Sequence, residues 1–532
     1  MSIMALEQLP PIRRGRRRHC FALQADLSML DADAYIVPTD AFGNVERQWA
    51  WAVGAEAGGR ARQLHHCRES LTADGFVWVD GDTAEPVLAL DVAGDGVNGG
   101  VGAMVERFSI ALTMLDSASL RGQFRARPLV AMPLIGVGRA GFGGRTGEII
   151  ARLLDAVDQY FTTSASGGFD LAIATLESSS IAALQHERRA REDRSGPQEV
   201  PEWLADLVSA ARSRQLAVMF GAGASAALGL PLWGGLLGQL VAALDDTDLD
   251  PVDLAALDPT DAATLLIEAG GAEWFSTTLT ALLRAPRHSL MHGLLANLRS
   301  PLAITTNYDQ AFELATQAVF GSKAVVLPWD LDQGTGARVL KLPGDLTRGQ
   351  LVLSRDQFVA MHAYRRPLAG VLQSRMLIGH LLTVGTSMSD TTLVHAAEEF
   401  HALIRQARDV TTPTSRSNAG TVILTTPDPA RARLLSRAFT VVSADGHHGV
   451  QESARDIDVL LDWLVMQASD DLSFALDPRY AALLTPADQD LATALRSLAS
   501  EESENLADDS SDLAMAVSRF LHSLGLRKTK ED

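Results

Sequence analysis

The stretch that most constrains the fold is residues 215–235, QLAVMFGAGASAALGLPLWGG. The apolar run at 216–220 stops at a glycine, which is typical of a buried parallel strand. Gly221, Gly223 and Ser225 follow it, and a helical apolar pattern comes next. Strand, glycine-rich turn and helix in this order present backbone N–H groups to a phosphate. The same letters also fit a tight turn that binds nothing.

Three further apolar runs have small polar residues at their ends. They are LAITTNYD (302–309), with Thr305, Asn307 and Asp309, VLKLPGDL (339–346), with Asp345, and LLTVGTSMSD (381–390), with Gly385, Thr386 and Ser387. Each run predicts a strand. Because ligands of open α/β sheets bind at the carboxyl ends of the strands, we expect these polar residues to meet at one edge.

These pieces resemble the sirtuin family, in its divergent bacterial branch of antiphage defence proteins. The motifs GAGASAALGLP, TTNYD, KLPGD and GTS occur in family order, and the resemblance covers roughly residues 205–450. It implies a Rossmann-like parallel sheet that binds NAD as substrate. By this resemblance the NAD contacts are Gly221, Ala222, Gly223, Ser225, Thr305, Gly385, Thr386 and Ser387.

Two departures argue against protein deacylation, which is the usual sirtuin reaction. Pro343 stands where the family carries its histidine, and Leu232 and Trp233 replace an acidic and a basic residue. Sirtuin deacylases also carry a four-cysteine zinc module, whereas this chain has no cysteine after Cys67. We therefore expect no metal.

Asn307 and Asp309 are the candidate catalytic residues, with Asp345 as a substitute base. An amide oxygen can hold a water beside a ribose cation, and a carboxylate can stabilise the cation's charge. The alternative for Asn307 is an ordinary Asx turn at a strand end. His362 and His380, the nearest histidines in sequence, fit helix-face or packing positions better than a base.

Three functions remain open at this point. The first is an NAD+ glycohydrolase that depletes cellular NAD in antiphage defence. The second is a catalytically silent regulator that binds NAD or ADP-ribose, and the third is a deacylase. The sirtuin resemblance further implies a homo-oligomer, and the trigger would be a phage component or a partner protein of the defence system.

The amino-acid composition limits the cellular location and the binding partners that we expect for this protein. A net charge of −19 argues against nucleic-acid binding, and two cysteines fit a reducing cytoplasm. No apolar window is long enough to span a membrane. A chain of 532 residues predicts two or three domains.

Residues 20–186 alternate strand and helix patterns, so they predict a separate α/β domain. Its stretch PLIGVGRAGFGG (133–144) resembles the diphosphate loop of macro domains, which bind ADP-ribose. The resemblance implies nucleotide contacts from Asp26, Gly136, Gly138 and Gly141. The family's ribose-binding asparagines are missing, with Pro38 and Asp40 in that region. A scaffold or dimerisation role is the alternative.

The predicted fold class is thus α/β, with a macro-like domain before a Rossmann-like, sirtuin-type domain and helices at the C-terminus. The predicted units are a solvated basic arm (1–19), the macro-like domain (20–186), a linker (187–201), the sirtuin-like domain (202–450) with a helical insert (242–300), and a helical segment (451–532). The insert is expected to cap the nucleotide cleft.

Overall fold

The computed structural model describes most of the chain. The described residues are 4–15, 17–56, 58–80, 85–93, 100–118, 120, 122–138, 142–164, 168–196, 199–244, 248–330, 336–348, 350–351, 355–386, 391–408, 418–505 and 512–526. Within them, no single helix is long and apolar enough to cross a membrane. The bent pair Ala222–Leu228 and Trp233–Ala242 meets that test together, by length and composition only.

The strands fall into two main sheets and one small hairpin. They are β1 Met4–Ala5, β2 Cys20–Gln24, β3 Ala34–Thr39, β4 Phe76–Trp78, β5 Val87–Asp91, β6 Leu129–Pro133, β7 Asp170–Thr175, β8 Leu216–Phe220, β9 Ala303–Thr305, β10 Val325–Leu327, β11 Arg338–Lys341, β12 Gly344–Asp345, β13 Gln350–Leu351, β14 His380–Val384, β15 Gly420–Leu424 and β16 Phe439–Ser443.

The α-helices lie between and after these strands. They are α1 Pro10–Gly15, α2 Ala50–Val53, α3 Arg68–Ala73, α4 Gly100–Ser117, α5 Thr146–Thr163, α6 Ser178–Arg194, α7 Glu202–Arg212, α8 Trp233–Ala242, α9 Pro251–Ala256, α10 Pro259–Gly270, α11 Ala272–Leu282, α12 Leu290–Asn297, α13 Ala311–Phe320, α14 Arg355–Ile378, α15 Thr391–Arg408, α16 Pro429–Leu435, α17 Val450–Ala468, α18 Pro486–Asn505 and α19 Asp512–Ser523.

The first domain is built on a six-stranded sheet in the order β2-β7-β6-β3-β5-β4. All its pairs are parallel except β4 with β5. The apolar runs of 20–186 predicted five of these strands, and the structure confirms them. The short antiparallel edge strand β4 was missed, because its three residues carry no alternating pattern of their own.

The second domain is built on an eight-stranded parallel sheet in the order β1-β16-β15-β14-β8-β9-β11-β10. Strand β8, with all five residues buried, pairs with both β14 and β9. The four motif-bearing runs therefore form neighbouring strands in this sheet. This arrangement confirms the predicted Rossmann-like sheet.

The N-terminal residues correct one prediction. Instead of a solvated arm, β1 adds to the edge of the second-domain sheet, with Met4 opposite Val442. Leu6, Leu9 and Ile12 are buried behind it. The neighbouring arginines obscured this short apolar pattern.

The predicted linker also begins too early, because α6 continues through its first eight residues. Glu187 holds this charged part of the helix together by ion pairs of 2.9 Å to Arg191 and 3.0 Å to Arg194. Side chains four residues apart are neighbours on a helix surface, so the Glu187–Arg191 pair supports this charged part of the helix. The connection between the domains is therefore residues 195–201.

Helix α17, in the predicted C-terminal segment, fastens the two domains together. Its apolar residues Ile457 and Leu460 are buried. On the same helix, Asp462 accepts a hydrogen bond from the Ala22 backbone of β2 (3.1 Å) and pairs with Arg188. First-domain and second-domain residues thus share one core.

The insert is helical, as predicted. Helices α8 to α11 form their own apolar cluster, and Tyr308 and Leu346 pack against it. These two side chains adjoin Asn307 and Asp345 in sequence, so the insert lies beside the motif residues.

Candidate functional site

The candidate site lies at the carboxyl ends of β14, β8 and β9, which are neighbours in the sheet. After β8, Gly221 is extended and residues Ala222–Leu228 form a 3-10 helix that Gly229 ends at φ +75°. The turn of residues 221–229 is called the glycine turn below.

The glycines of this turn serve a close contact between two loops. Gly223 N–H donates to the Gly385 carbonyl at 2.8 Å. A Cβ on Gly223 would lie 2.8 Å from that oxygen, and one on Gly221 would lie 3.0 Å from the Thr386 Cβ. The Gly223 amide, expected to bind a pyrophosphate, is thus already bonded to the loop after β14.

Asn307 is buried and its amide orientation is fixed by its neighbours. Its Nδ2 donates to the Gly221 carbonyl (3.2 Å) and to Ser225 Oγ (3.0 Å). Ser225 Oγ in turn donates to Asp309 Oδ2 at 2.8 Å, so it accepts from Asn307. Because a carbonyl can only accept, the amide cannot be flipped.

The fixed amide leaves one acceptor unused. Within the described ranges, nothing donates a hydrogen bond to Asn307 Oδ1. Thr305 Oγ1 accepts the Asn307 backbone N–H at 3.0 Å and thereby holds the turn after β9. The residues Ser225, Thr305, Asn307 and Asp309, predicted separately, form one cluster that we call the Asn307 cluster.

Behind the cluster, Lys341 is fully buried. Its Nζ donates to the Asp309 carbonyl (2.6 Å) and forms ion pairs of 2.7 Å with Asp345 and Glu313. Burial alone would lower the pKa of Lys341, but the two carboxylates outweigh it and raise that pKa. The charged lysine therefore fixes the backbone of the TTNYD turn to the hairpin after β11.

Asp345 is held in this ion pair and is not poised as a base. Burial would raise its pKa, but Lys341 and Thr347 outweigh burial and hold the pKa below its usual range. Thr347 donates to Asp345 Oδ1 from both its backbone N (2.8 Å) and its hydroxyl (2.6 Å). A carboxylate so stabilised is a poor proton acceptor, and the geometry gives Asp345 a positioning role.

Of the two histidines named in the sequence analysis, His380 is not placed to act as the base. His380 begins β14, at the opposite edge of the sheet, where its Nε2 lies 3.0 Å from Thr421 Oγ1. The His362 side chain lies outside the described part. Pro343, in the position of the family histidine, is half-buried between β11 and β12.

A buried polar segment that the sequence analysis missed lies beside the glycine turn. Ser289 Oγ donates to the Ala224 carbonyl at 2.8 Å, so it accepts from His292 Nδ1 at 2.9 Å. Nδ1 therefore carries the proton, and burial, the main cause, lowers the pKa of His292 to about 4. The one sequence signal was two histidines four residues apart, at 288 and 292.

The first domain has its own cleft, a cavity of about 630 Å³ at the carboxyl ends of β2, β3, β6 and β7. Asp26, Gly136 and Gly138, predicted as nucleotide contacts, all line it, as do Pro38 and Asp40. We call this cavity the first-domain cleft.

The two glycines of this cleft have different surroundings. Gly136 has φ +78°, and a Cβ there would lie 2.6 Å from Met104 Sδ, so a glycine is required. A Cβ built on Gly138 would meet none of the described atoms within 4 Å. Of these two glycines, Gly138 is therefore the one at which a Cβ can be added without a clash in the described part of the chain.

Two predicted contacts, Ser387 and Gly141, lie outside the described residues. In the part of the chain that the structure describes, no group of three or more His, Cys, Asp or Glu residues could hold a metal ion.

Comparison with known proteins gives one family match. Residues 301–441 match the SIR2-like domain family, which confirms the sirtuin resemblance for that part of the chain. No curated protein sequence matches the chain.

Solved structures similar to the N-terminal region include two mutants of the Oceanobacillus iheyensis macrodomain, one of them with ADPR. Their sequence identities are 11% and 12%. Each alignment covers 32% of this chain and 92% of the other, with a TM-score of 0.26. Both are members of the family that residues 20–186 resemble.

Proposed function

We propose that the second domain is an NAD+ glycohydrolase, which cleaves NAD+ to nicotinamide and ADP-ribose. The SIR2-like match at 301–441 supports NAD as the substrate. The observation that carries the proposal is the fixed Asn307 amide, whose Oδ1 accepts no hydrogen bond from the described residues. That oxygen is a ready acceptor for a water or a ribose hydroxyl.

The hydrolysis of NAD+ can proceed without a strong side-chain base. The bond between the ribose C1′ and the pyridinium nitrogen breaks, nicotinamide leaves with the electron pair, and cationic character develops at C1′. A water held by Asn307 Oδ1 adds to C1′ and releases its proton to solvent. Asp309, bonded to Ser225 at 2.8 Å, places negative charge near this cation.

The missing histidine is compatible with this chemistry. A general base typically contributes about 10²–10⁴-fold, whereas positioning and electrostatic stabilisation supply much of the remaining acceleration. With Pro343 in the histidine position and Asp345 ion-paired, we expect slow turnover that depends on Asn307.

The proposal also covers the cellular role of the enzyme and the ligand of the first domain. By the sirtuin resemblance, the enzyme would deplete NAD in the bacterial cytoplasm during antiphage defence, as a homo-oligomer triggered by a phage component or partner protein. The first-domain cleft, which gathers Asp26, Gly136 and Gly138, would bind an ADP-ribose-type nucleotide.

The second candidate is a silent regulator that binds NAD or ADP-ribose without cleaving it. Pro343 favours this alternative, because the family's base is absent. The two candidates differ in one measurable event, the release of nicotinamide.

The test is nicotinamide release by the purified full-length protein, alone, after induced oligomerisation, and with extract of phage-infected cells. We expect release by wild type. We expect Asn307→Ala to lose it while keeping its NAD affinity within a few-fold. Asn418→Ala is the matched control, because Asn418 donates to Thr440 Oγ1 (2.8 Å) at the opposite edge of the sheet. If wild type leaves NAD intact under all three conditions, the silent-regulator candidate replaces the enzyme.

A further inference from the structure

The glycine turn is held at two points by groups from outside it. Near its start, the Ala224 carbonyl accepts the Ser289 hydroxyl at 2.8 Å. At its end, Phe124 of the first domain packs against Gly229, where a Cβ would lie 2.6 Å from the ring. Ser225, next to Ala224, holds both Asn307 and Asp309.

Both holding groups are anchored on the same first-domain loop, residues 26–33. His288, which precedes Ser289, donates its N–H to the Met29 carbonyl (2.8 Å) and accepts the Asp31 N–H (2.9 Å). Arg125, which follows Phe124, pairs with Asp31 and with Asp33 (3.2 Å). A shift of this loop therefore acts on the glycine turn from two sides.

The same loop begins inside the first-domain cleft. Asp26 and Ser28 both line that cavity, and Asp26 Oδ1 accepts the Ser28 N–H (3.0 Å) and hydroxyl (2.7 Å). A ligand that bonds to Asp26 competes with these local bonds. Only a few residues then separate the ligand from the backbone bonds to His288.

Residues 288–292, which connect the loop 26–33 to the glycine turn, contain two buried histidine rings. His288 donates Nδ1–H to the Ser289 carbonyl (3.0 Å), and His292 donates Nδ1–H to the Ser289 hydroxyl. The Nε2 atoms of both buried rings have no partner among the described residues. Because these two acceptors are already unpaired, a shift of the segment breaks no hydrogen bond at either Nε2 atom.

We propose that the first-domain cleft regulates the Asn307 cluster: an adenosine-diphosphate ligand bound there shifts the glycine turn through Ser289 and Phe124. The proposal rests on the proposed function for its catalytic consequence. The coupling itself is a property of these contacts. Packed interiors transmit such shifts because they switch between discrete arrangements and do not deform smoothly.

Hydrogen–deuterium exchange on the full-length protein tests the coupling without any catalysis. ADP-ribose is the probe, at a concentration that protects peptides around residues 134–138 of the cleft. In wild type we expect the exchange of peptides covering 221–229 to change at the same ADP-ribose concentration. Ser289→Ala and Phe124→Ala should each reduce that second change at least about two-fold, and the double variant should abolish it.

The controls separate coupling from direct binding. Ser195→Ala removes an exposed serine hydroxyl that bonds only within its own helix end, and should behave as wild type. Because Phe124 is 43% exposed, Phe124→Ala should fold even if Ser289→Ala does not. An unchanged response at 221–229 in the variants means that ADP-ribose reaches the turn directly, and overturns the proposal. No cleft protection, or none at 221–229, overturns it as well.

A rate measurement adds the functional consequence. ADP-ribose bound in the cleft should change the rate of nicotinamide release by about five-fold or more in wild type, the lower end of usual coupling. The change should shrink in Ser289→Ala and Phe124→Ala. If wild type releases no nicotinamide, the proposed function fails while the exchange experiment still decides the coupling. If wild type releases nicotinamide but ADP-ribose in the cleft does not change the rate, the regulatory proposal fails and the proposed function stands.

Discussion

Asn307 Nδ2 and Ser225 Oγ lie 3.0 Å apart, joining the turns after two adjacent strands. The direction of this bond is set by Asp309, whose Oδ2 accepts a hydrogen bond from the serine hydroxyl at 2.8 Å. The Asp309 carboxylate, acting through Ser225, and the Gly221 carbonyl together determine which way the Asn307 amide points. The free face of that amide is the feature on which the proposed chemistry depends.

Removing this serine hydroxyl should affect turnover more than folding. In Ser225→Ala, Asp309 Oδ2 loses a partner and the Asn307 amide is held only by the Gly221 carbonyl, so we expect nicotinamide release to fall about 10- to 100-fold. The free energy of unfolding should fall by about 1–3 kcal/mol. Urea denaturation and a nicotinamide assay measure the two effects.

The control for this variant is Ser300→Ala. Ser300 donates to the Leu216 carbonyl at 2.7 Å, at the amino edge of the same sheet. It should lose stability without losing activity per folded molecule. Equal activity losses in both variants would mean that Ser225 does not orient the Asn307 amide.

Lys341 should be among the residues whose loss destabilises the fold most. Lys341→Met leaves the buried carboxylates of Asp345 and Glu313 without their cation, and breaking a buried pair in this way costs about 3–5 kcal/mol. Adding Asp345→Asn should recover part of the loss. A double-mutant cycle by urea denaturation checks this, and additive losses would contradict the assigned positioning role of Asp345.

The sequence was sufficient for the four motif-bearing strands, because each motif lies at the end of a short apolar run that predicts a buried strand. It was also sufficient to bring Asn307, Asp309 and Ser225 to one edge, since parallel strands end together. It was not sufficient for the role of Asp345. That role depends on Lys341 being buried at the same point, and four residues of separation cannot reveal burial.

The second-domain glycines also show that contacts between residues distant in sequence could not be predicted. GAGAS predicted a phosphate cradle, whereas the Gly223 amide is bonded to Gly385, a residue 162 positions away in sequence (385 − 223 = 162). Ser289 was missed because a serine before a helix usually caps that helix, which it also does here. Its second bond, to Ala224, requires the tertiary fold.

Stability should fall between pH 5 and pH 8 because of one buried carboxyl. Burial raises the pKa of Asp458 to about 8, against the opposing charges of Arg125 and Arg455 and with a smaller contribution from Asp170. A raised pKa in the folded state means that the stabilisation is full below the ordinary value near 4 and is lost as pH rises to about 8.

The measurement is the difference between Asp458→Asn and wild type. The asparagine stays neutral, so the variant should gain on wild type by up to about 1.4 kcal/mol per pH unit in that window. Urea denaturation at pH 5, 6, 7 and 8 gives the slope. A difference that does not change with pH would show that Asp458 is ionised in the folded protein.

The purified protein should contain no stoichiometric zinc and should not deacylate peptides. A structural zinc site needs four ligands, usually including cysteines, and the sequence has none after Cys67. Metal analysis and an acetyl-lysine peptide assay check the two statements. One zinc per chain, or turnover of the peptide, would contradict them.

Gly138 offers the sharpest test of the first-domain cleft. A Cβ there meets none of the described atoms within 4 Å, so Gly138→Glu should leave the fold intact while placing a carboxylate in the cavity. If backbone N–H groups of this loop bind a diphosphate, the added negative charge should weaken ADP-ribose binding at least about ten-fold by calorimetry. The full-length protein is required, because the N-terminal strand β1 belongs to the second-domain sheet.

Gly370→Glu is the matched control for this substitution. It adds the same charge at an exposed glycine of α14 in the second domain, where a Cβ also meets none of the described atoms within 4 Å and which does not line the cleft. ADP-ribose binding that is weakened equally by both variants would reflect the overall negative charge of the protein. Binding that is weakened only by Gly138→Glu would locate the diphosphate beside Gly138, and no binding heat from wild type would favour the scaffold role of the first domain.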